Sequence, residues 1–283
     1  MTGLPSEFFA DLKASTRGLM PVEVYRRLFE IARDTSTGNI IDAGTGRGGT
    51  SISLALGLRE SKSAGTVHAI DQFFQNLADR PHRYNKVTNP DDCVALNIAE
   101  FEKNADRYGV RSLIKIWPGT TDEVAKVFPK DIRVGILAID IDGHVDRDLR
   151  YFYDFVEPGG WIVIDDYADT IGPRREKRLA EFAAKSADEQ REWLSRGGRM
   201  AKRRLLGKVL LTYRLANVLV DAGALTPPSV IKHTAFFRKP SDRPFSSFEV
   251  AGQISKMESG IQKEFLAKLR AARRTAIAEA AQA

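Results

Sequence analysis

Residues 39–49 read NIIDAGTGRGG. Two isoleucines run into an aspartate, and glycines then stand at 44, 46, 48 and 49. A short apolar run that ends in a glycine turn reads as a buried strand leading into a bend that side chains would obstruct. The apolar stretch SISLALGLRE follows as a helix. A strand, a glycine turn and a helix in that order form the opening unit of a doubly wound α/β sheet.

The turn fits two templates. One is G-x-G-x-x-G through Gly44, Gly46 and Gly49, the dinucleotide pattern. The other is an acid followed by alternating glycines, through Asp42, Gly44, Gly46 and Gly48. An acid inside the turn repels a pyrophosphate and suits a ligand with cationic groups. Asp71 closes the next apolar run, TVHAID, where a carboxylate can accept both hydroxyls of a ribose.

The same alternation continues outward. PVEVYRRLFEIARD precedes the turn with apolar residues at helical spacing. Residues 72–92 are polar and irregular and read as a loop or lid, with Phe73 and Phe74 as candidate lining. ALNIAEFEKNADRYG reads as a helix stopped by Gly109, LIKIWPG as a third strand, and TDEVAKVF as a short helix opened by Thr121 or Asp122. VGILAID is a fourth strand, HVDRDLRYFYDFV a helix stopped by PGG, and WIVIDDY a fifth strand. Strands apolar on both faces and separated by helices predict a mostly parallel sheet covered on both sides. The expected organisation is an N-terminal helical segment over 1–38, an α/β domain over 39–240 and a helical extension over 241–283. Within the domain, a charged helical insertion is expected at about 172–204, and SVIKHTAFFRK reads as one late strand.

Ligands on such sheets bind at the carboxyl ends of the strands. Asp42, Asp71, Asp140, Asp142, Asp165 and Asp166 all fall at such ends. The fourth and fifth strands should be neighbours, so LAIDIDGH and IVIDDY would bring three or four carboxylates into one cleft. Such a group needs a counter-charge, and a divalent cation held by hard oxygen donors, Mg²⁺ first, is an economical one.

Composition narrows the alternatives. The chain has 283 residues, 43% of them hydrophobic, and one cysteine, Cys93. An internal disulfide and a cysteine zinc site are therefore excluded. No apolar run reaches the roughly 20 residues that a membrane span needs, so a cytoplasmic protein is expected. The formal charge of +6 is concentrated around 174–208, which reads as a solvated helical face rather than a nucleic-acid surface. Amphipathic C-terminal helices make a homo-oligomer an expectation.

IIDAGTGRGGTS followed by VHAID resembles motifs I and II of class I S-adenosylmethionine-dependent methyltransferases. The likeness covers roughly 20–167 and the strand near 230–238. It implies S-adenosyl-L-methionine held by Asp42, Gly44, Thr45, Gly46, Gly48 and Ser51 of the turn. Asp71, Gln72 and Asp140 would join them, with Gly119, Thr120 and Thr121 beside the adenine. The second half, with Asp142-Gly143-His144 and then GGWIVIDDY, is similar to the macrocin O-methyltransferase-like, metal-dependent enzymes. That resemblance implies Asp142, Asp165 and Asp166 as metal ligands, His144 as general base, and a hydroxyl of a sugar or glycosylated natural product as acceptor. Asp146 departs from the family's tyrosine, and Asp140 is a rival to Asp142 as third ligand. Two other readings are a nicotinamide-dependent oxidoreductase, which leaves Asp165-Asp166 unexplained, and a nucleic-acid methyltransferase, against which DIDGH stands after the fourth strand.

Overall fold

A computed structural model describes residues 4–35, 38–73, 90–170, 181–182, 184–260 and 267. Most of the expected lid (74–89), part of the basic stretch (171–180) and the end of the chain, residue 267 apart, lie outside the described residues.

Two N-terminal helices, α1 (Ser6–Thr16) and α2 (Val22–Asp34), precede β1 (Ile40–Ala43). The chain continues through α3 (Gly49–Ser61), β2 (Val67–Asp71), α4 (Pro90–Arg107), β3 (Ile114–Pro118), α5 (Thr121–Val127), β4 (Val134–Ile139), α6 (Val145–Phe152) and β5 (Val156–Ile164). A long helix α7 (Ala187–Asp221) then leads to β6 (Ser229–Ile231) and β7 (Thr234–Arg238). Residues 250–260 are helical.

The sheet has seven strands in the order β3-β2-β1-β4-β5-β7-β6. The first five are parallel, and β7 and β6 are antiparallel additions. β1 lies between β2 and β4, so the strand order reverses there and a crevice opens above its carboxyl end. One buried layer packs α2, α3 and α4 on one face, through Leu28, Ile52, Leu54 and Phe101. The other packs α5, α6 and α7 through Val124, Leu149, Phe152, Leu211 and Leu215.

Several boundaries differ from the sequence reading. Residues 90–92 open α4 instead of ending the lid, since Pro90 suits a first helical turn. Thr120, not Thr121 or Asp122, caps α5, because it forms a reciprocal capping box with Glu123. Pro158-Gly159-Gly160 lies inside β5, where the pairing to β4 shifts register and Gly159 takes φ +78°. The strand then stops at Ile164, so Asp165 and Asp166 stand beyond it. SVIKHTAFFRK is a hairpin rather than one strand, turned at Lys232, which has φ +57°. The charged stretch, from residue 187 on, and the amphipathic stretch after it share one helix from 187 to 221, in which Gly207 takes φ +75°.

Candidate active site

The glycine turn is held by what its glycines permit. Gly44 has φ +92°, and a Cβ there would lie 2.0 Å from the Asp140 carbonyl oxygen. Only glycine lets the ends of β1 and β4 meet this closely. Asp42 turns inward, where the hydroxyls of Thr50 and Ser51 donate to its carboxylate. Burial pushes its pKa up to about 6 against those hydrogen bonds. Thr45 and Ser51 share a hydroxyl contact of 2.6 Å. Gly48, at φ +92°, leaves room for the Phe101 ring.

Asp71 braces the turn from β2. Its Oδ2 accepts from the Gly46 amide at 2.8 Å and its Oδ1 from the Phe73 amide at 2.7 Å. Burial raises its pKa, chiefly by desolvation. A cavity of about 320 Å³ opens beside it. Gly44, Asp71, Gln72, Gly119, Thr120, Thr121, Asp140 and Asp142 are on its wall. Of the residues predicted to hold the cofactor, Asp42, Thr45, Gly46, Gly48 and Ser51 are not part of that wall and shape the turn behind it. Phe73 is buried against Phe101, so it packs the core rather than the cavity.

Two carboxylate groups lie beyond the strand ends. The first is Asp142 with Asp148. Arg147 donates to both oxygens of Asp142, at 2.9 and 3.1 Å, and to Asp148 at 2.9 Å. Thr121 also donates to Asp148, at 2.8 Å. Asp148 is buried, and desolvation lifts its pKa to about 6 although Arg147 and Thr121 oppose the rise. Asp142, more exposed, is held below its ordinary value by hydrogen bonds from Arg147 and the His144 amide, which outweigh its partial burial.

The second group is Asp140, Asp165 and Asp166, which offer ligand oxygens all within 4.8 Å of one another. Asp165 continues the ladder through its amide to the Ile139 carbonyl. Asp166 takes φ +57°, unusual for a residue with a Cβ, and so turns the chain at the strand end. Tyr167 fixes that turn, since its amide donates to His233 O at 2.6 Å and its ring packs on Tyr213 and Phe237. The Thr234 hydroxyl donates to Asp165. Burial, with Asp140 nearby, pushes the Asp165 pKa up to about 6. Lys208 of α7 reaches in with Nζ 2.6 Å from Asp140 and 2.8 Å from Asp166. Desolvation works against its charge, but the two carboxylates outweigh it and raise its pKa.

Thus the three expected metal ligands are not gathered together. Asp165 and Asp166 join Asp140, while Asp142 is taken up by Arg147 on the cavity side. His144 is buried at the N-cap of α6, with its amide donating to Asp142 at 3.1 Å. The sequence reading missed Lys208 and Thr234. A signal for Lys208 was available, because it is a lone cation in the apolar run LLGKVLL. Thr234 had none, since its contact depends on the hairpin.

Comparisons with known proteins agree with this frame. Residues 41–167 match a family described as a methyltransferase domain. Mycinamicin III 3''-O-methyltransferase of Micromonospora griseorubida is 27% identical over 151 residues, which cover 48% of this chain and 57% of that relative. The chain therefore spans little more than half the length of that curated relative. Cofactor-bound Rv0187 from MTB aligns with a TM-score of 0.51 at 14% identity, covering 82% of this chain and 89% of that one. The O-methyltransferase TomG from Streptomyces achromogenes, in complex with SAM, gives 0.50 at 14% identity, covering 84% and 90%. Among the described residues, no helix is long and apolar enough to cross a membrane. Residues 41–167 are thus similar to a methyltransferase domain, and the sheet that carries them has the Rossmann-like fold of the solved structures it resembles.

Proposed function

We propose that the chain is an S-adenosyl-L-methionine-dependent O-methyltransferase that transfers a methyl group to a hydroxyl of a small molecule, a sugar or glycosylated natural product. The observation that carries this reading is one sheet edge on which the cavity beside Asp71 adjoins the acid group of Asp140, Asp165 and Asp166. Asp140 belongs to both. The mycinamicin sugar methyltransferase relative supports the acceptor class.

In this reading Asp71 takes the ribose hydroxyls, and the backbone of the glycine turn passes close to the methionine portion. The oxygens of Asp140, Asp165 and Asp166 fit a divalent cation of the Mg²⁺ type, because three hard anionic donors converge. Such a cation, when bound, makes a hydroxyl more acidic by stabilising its developing negative charge. His144 accepts the hydroxyl proton, a role that an imidazole can fill near neutral pH. The acceptor oxygen forms the new bond to the methyl carbon as the carbon–sulfur bond breaks. The electron pair stays on sulfur, and S-adenosylhomocysteine leaves. Asp142 and Arg147 form a side of the cofactor cavity instead of binding metal.

Methyl transfer from labelled S-adenosylmethionine to a panel of glycosides and phenols tests the activity. Transfer should vanish in EDTA and return with Mg²⁺, and full activity in chelator would remove the metal. His144→Ala should lower turnover about 100-fold with cofactor affinity nearly unchanged. Unaltered turnover would remove His144 from the reaction.

A further inference from the structure

Lys208 reaches the acid group by an unusual route. Gly207 of α7 takes φ +75°, directly before it. Gly143 then lets the helix press against the loop after β4. A Cβ on Gly143 would lie 2.9 Å from the Lys208 carbonyl oxygen and 3.2 Å from its Cγ. Leu210 and Leu211, just beyond, are buried in the core. The backbone at 208 is thus held by packing, while the side chain keeps four rotatable bonds. Its side chain is about one-third exposed.

Nζ contacts Asp140 Oδ1 and Asp166 Oδ2, two of the three carboxylates that would hold a cation. A metal bonded to those oxygens and an ammonium bonded to them would sit within a few ångströms of each other and repel. One cation must give way. A flexible lysine on a fixed helix can do so without moving the helix.

We propose that Lys208 is a built-in counter-ion that competes with a divalent cation for Asp140 and Asp166, so that loading the metal requires its ammonium to swing out. This inference rests on the metal-assisted reading above. It gives the structure two charge states of one site. With the ammonium inside, the acid group is neutralised in part and the protein stays folded without metal. With the metal inside, Lys208 lies beside the site as a mobile cation.

The test uses the full chain without cofactor, with Mn²⁺ as probe, titrated by electron paramagnetic resonance. Lys208→Met keeps the stem and removes the charge, and Lys208→Arg keeps the charge. Lys208→Met should bind Mn²⁺ at least tenfold more tightly than the native protein, and Lys208→Arg should not. If all three bind Mn²⁺ equally, or Lys208→Met binds more weakly, the competition is overturned while the metal site stands. If none binds, the metal reading itself falls, and the competition with it. Should Lys208→Met fail to fold, a crystal of the native protein soaked in Mn²⁺ decides. Nζ displaced from both carboxylates supports the proposal, and Nζ still bonded to both beside a bound ion overturns it.

Discussion

The two acid groups at the carboxyl edge of the sheet both lie within residues 140–166 and are opposite in design. Asp142 and Asp148 share the planar guanidinium of Arg147, which donates to both at once. That arrangement is complete, with little donor capacity left over. Asp140, Asp165 and Asp166 are met by a single point charge at the end of a long stem. Three carboxylates with one lysine leave an excess of negative charge. Asp142 and Arg147 of the first group line the cavity, and Asp140 of the second lines it as well.

Breaking the second group should have the largest effect. Asp166→Asn removes a proposed ligand, and turnover should fall on the order of 1000-fold. Asp142→Asn, in the first group, should keep turnover within about tenfold. Equal losses in a methyl-transfer assay would erase the distinction between the groups.

The next effect is on stability. Arg147→Ala strips the buried Asp148 of its main partner and should destabilise the fold by about 2 kcal/mol at pH 8. The pKa of Asp148 already stands near 6 with Arg147 present. Without Arg147 it rises further, so at pH 5 the carboxyl is protonated and most of the penalty disappears. Denaturant titration at the two pH values measures this, and an equal loss at both would show that Asp148 does not carry the penalty.

The smallest effect concerns Asp42, behind the turn. Its folded pKa of about 6 exceeds the ordinary 3.8. The folded state thus binds the proton more tightly, and this residue's contribution to stability falls as pH rises from about 4 to about 6. Asp42→Asn should flatten that part of the stability profile. An unchanged slope would mean that the Thr50 and Ser51 hydroxyls compensate the charge fully.

The fold was legible because its signals are local. The run NIIDAG, the glycine turn and the alternation of apolar strands with helices each depend on residues close in sequence, and the observed sheet follows them. The site was legible only in part. The text IVIDDY showed that acids gather at a strand end, but which acids meet depends on side-chain direction. Asp140 and Asp142 are two residues apart and face different partners, because Arg147 lies one helical turn beyond Asp142 and captures it. Lys208 and Thr234 come from elements about 70 residues away in sequence. No periodicity in the first half of the chain could have pointed to them.

Both of those late partners have a consequence for how the protein could change. The segment that matches the methyltransferase family ends at residue 167. It contains the cavity beside Asp71 and all three carboxylates of the acid group. The groups that donate to those carboxylates, Lys208 from α7 and Thr234 from the edge hairpin, come after it. The domain is in this sense a socket whose wiring is supplied from outside. Substitutions in the last third of the chain can therefore retune the charge of the acid centre while the glycine turn and the cavity beside Asp71 stay as they are.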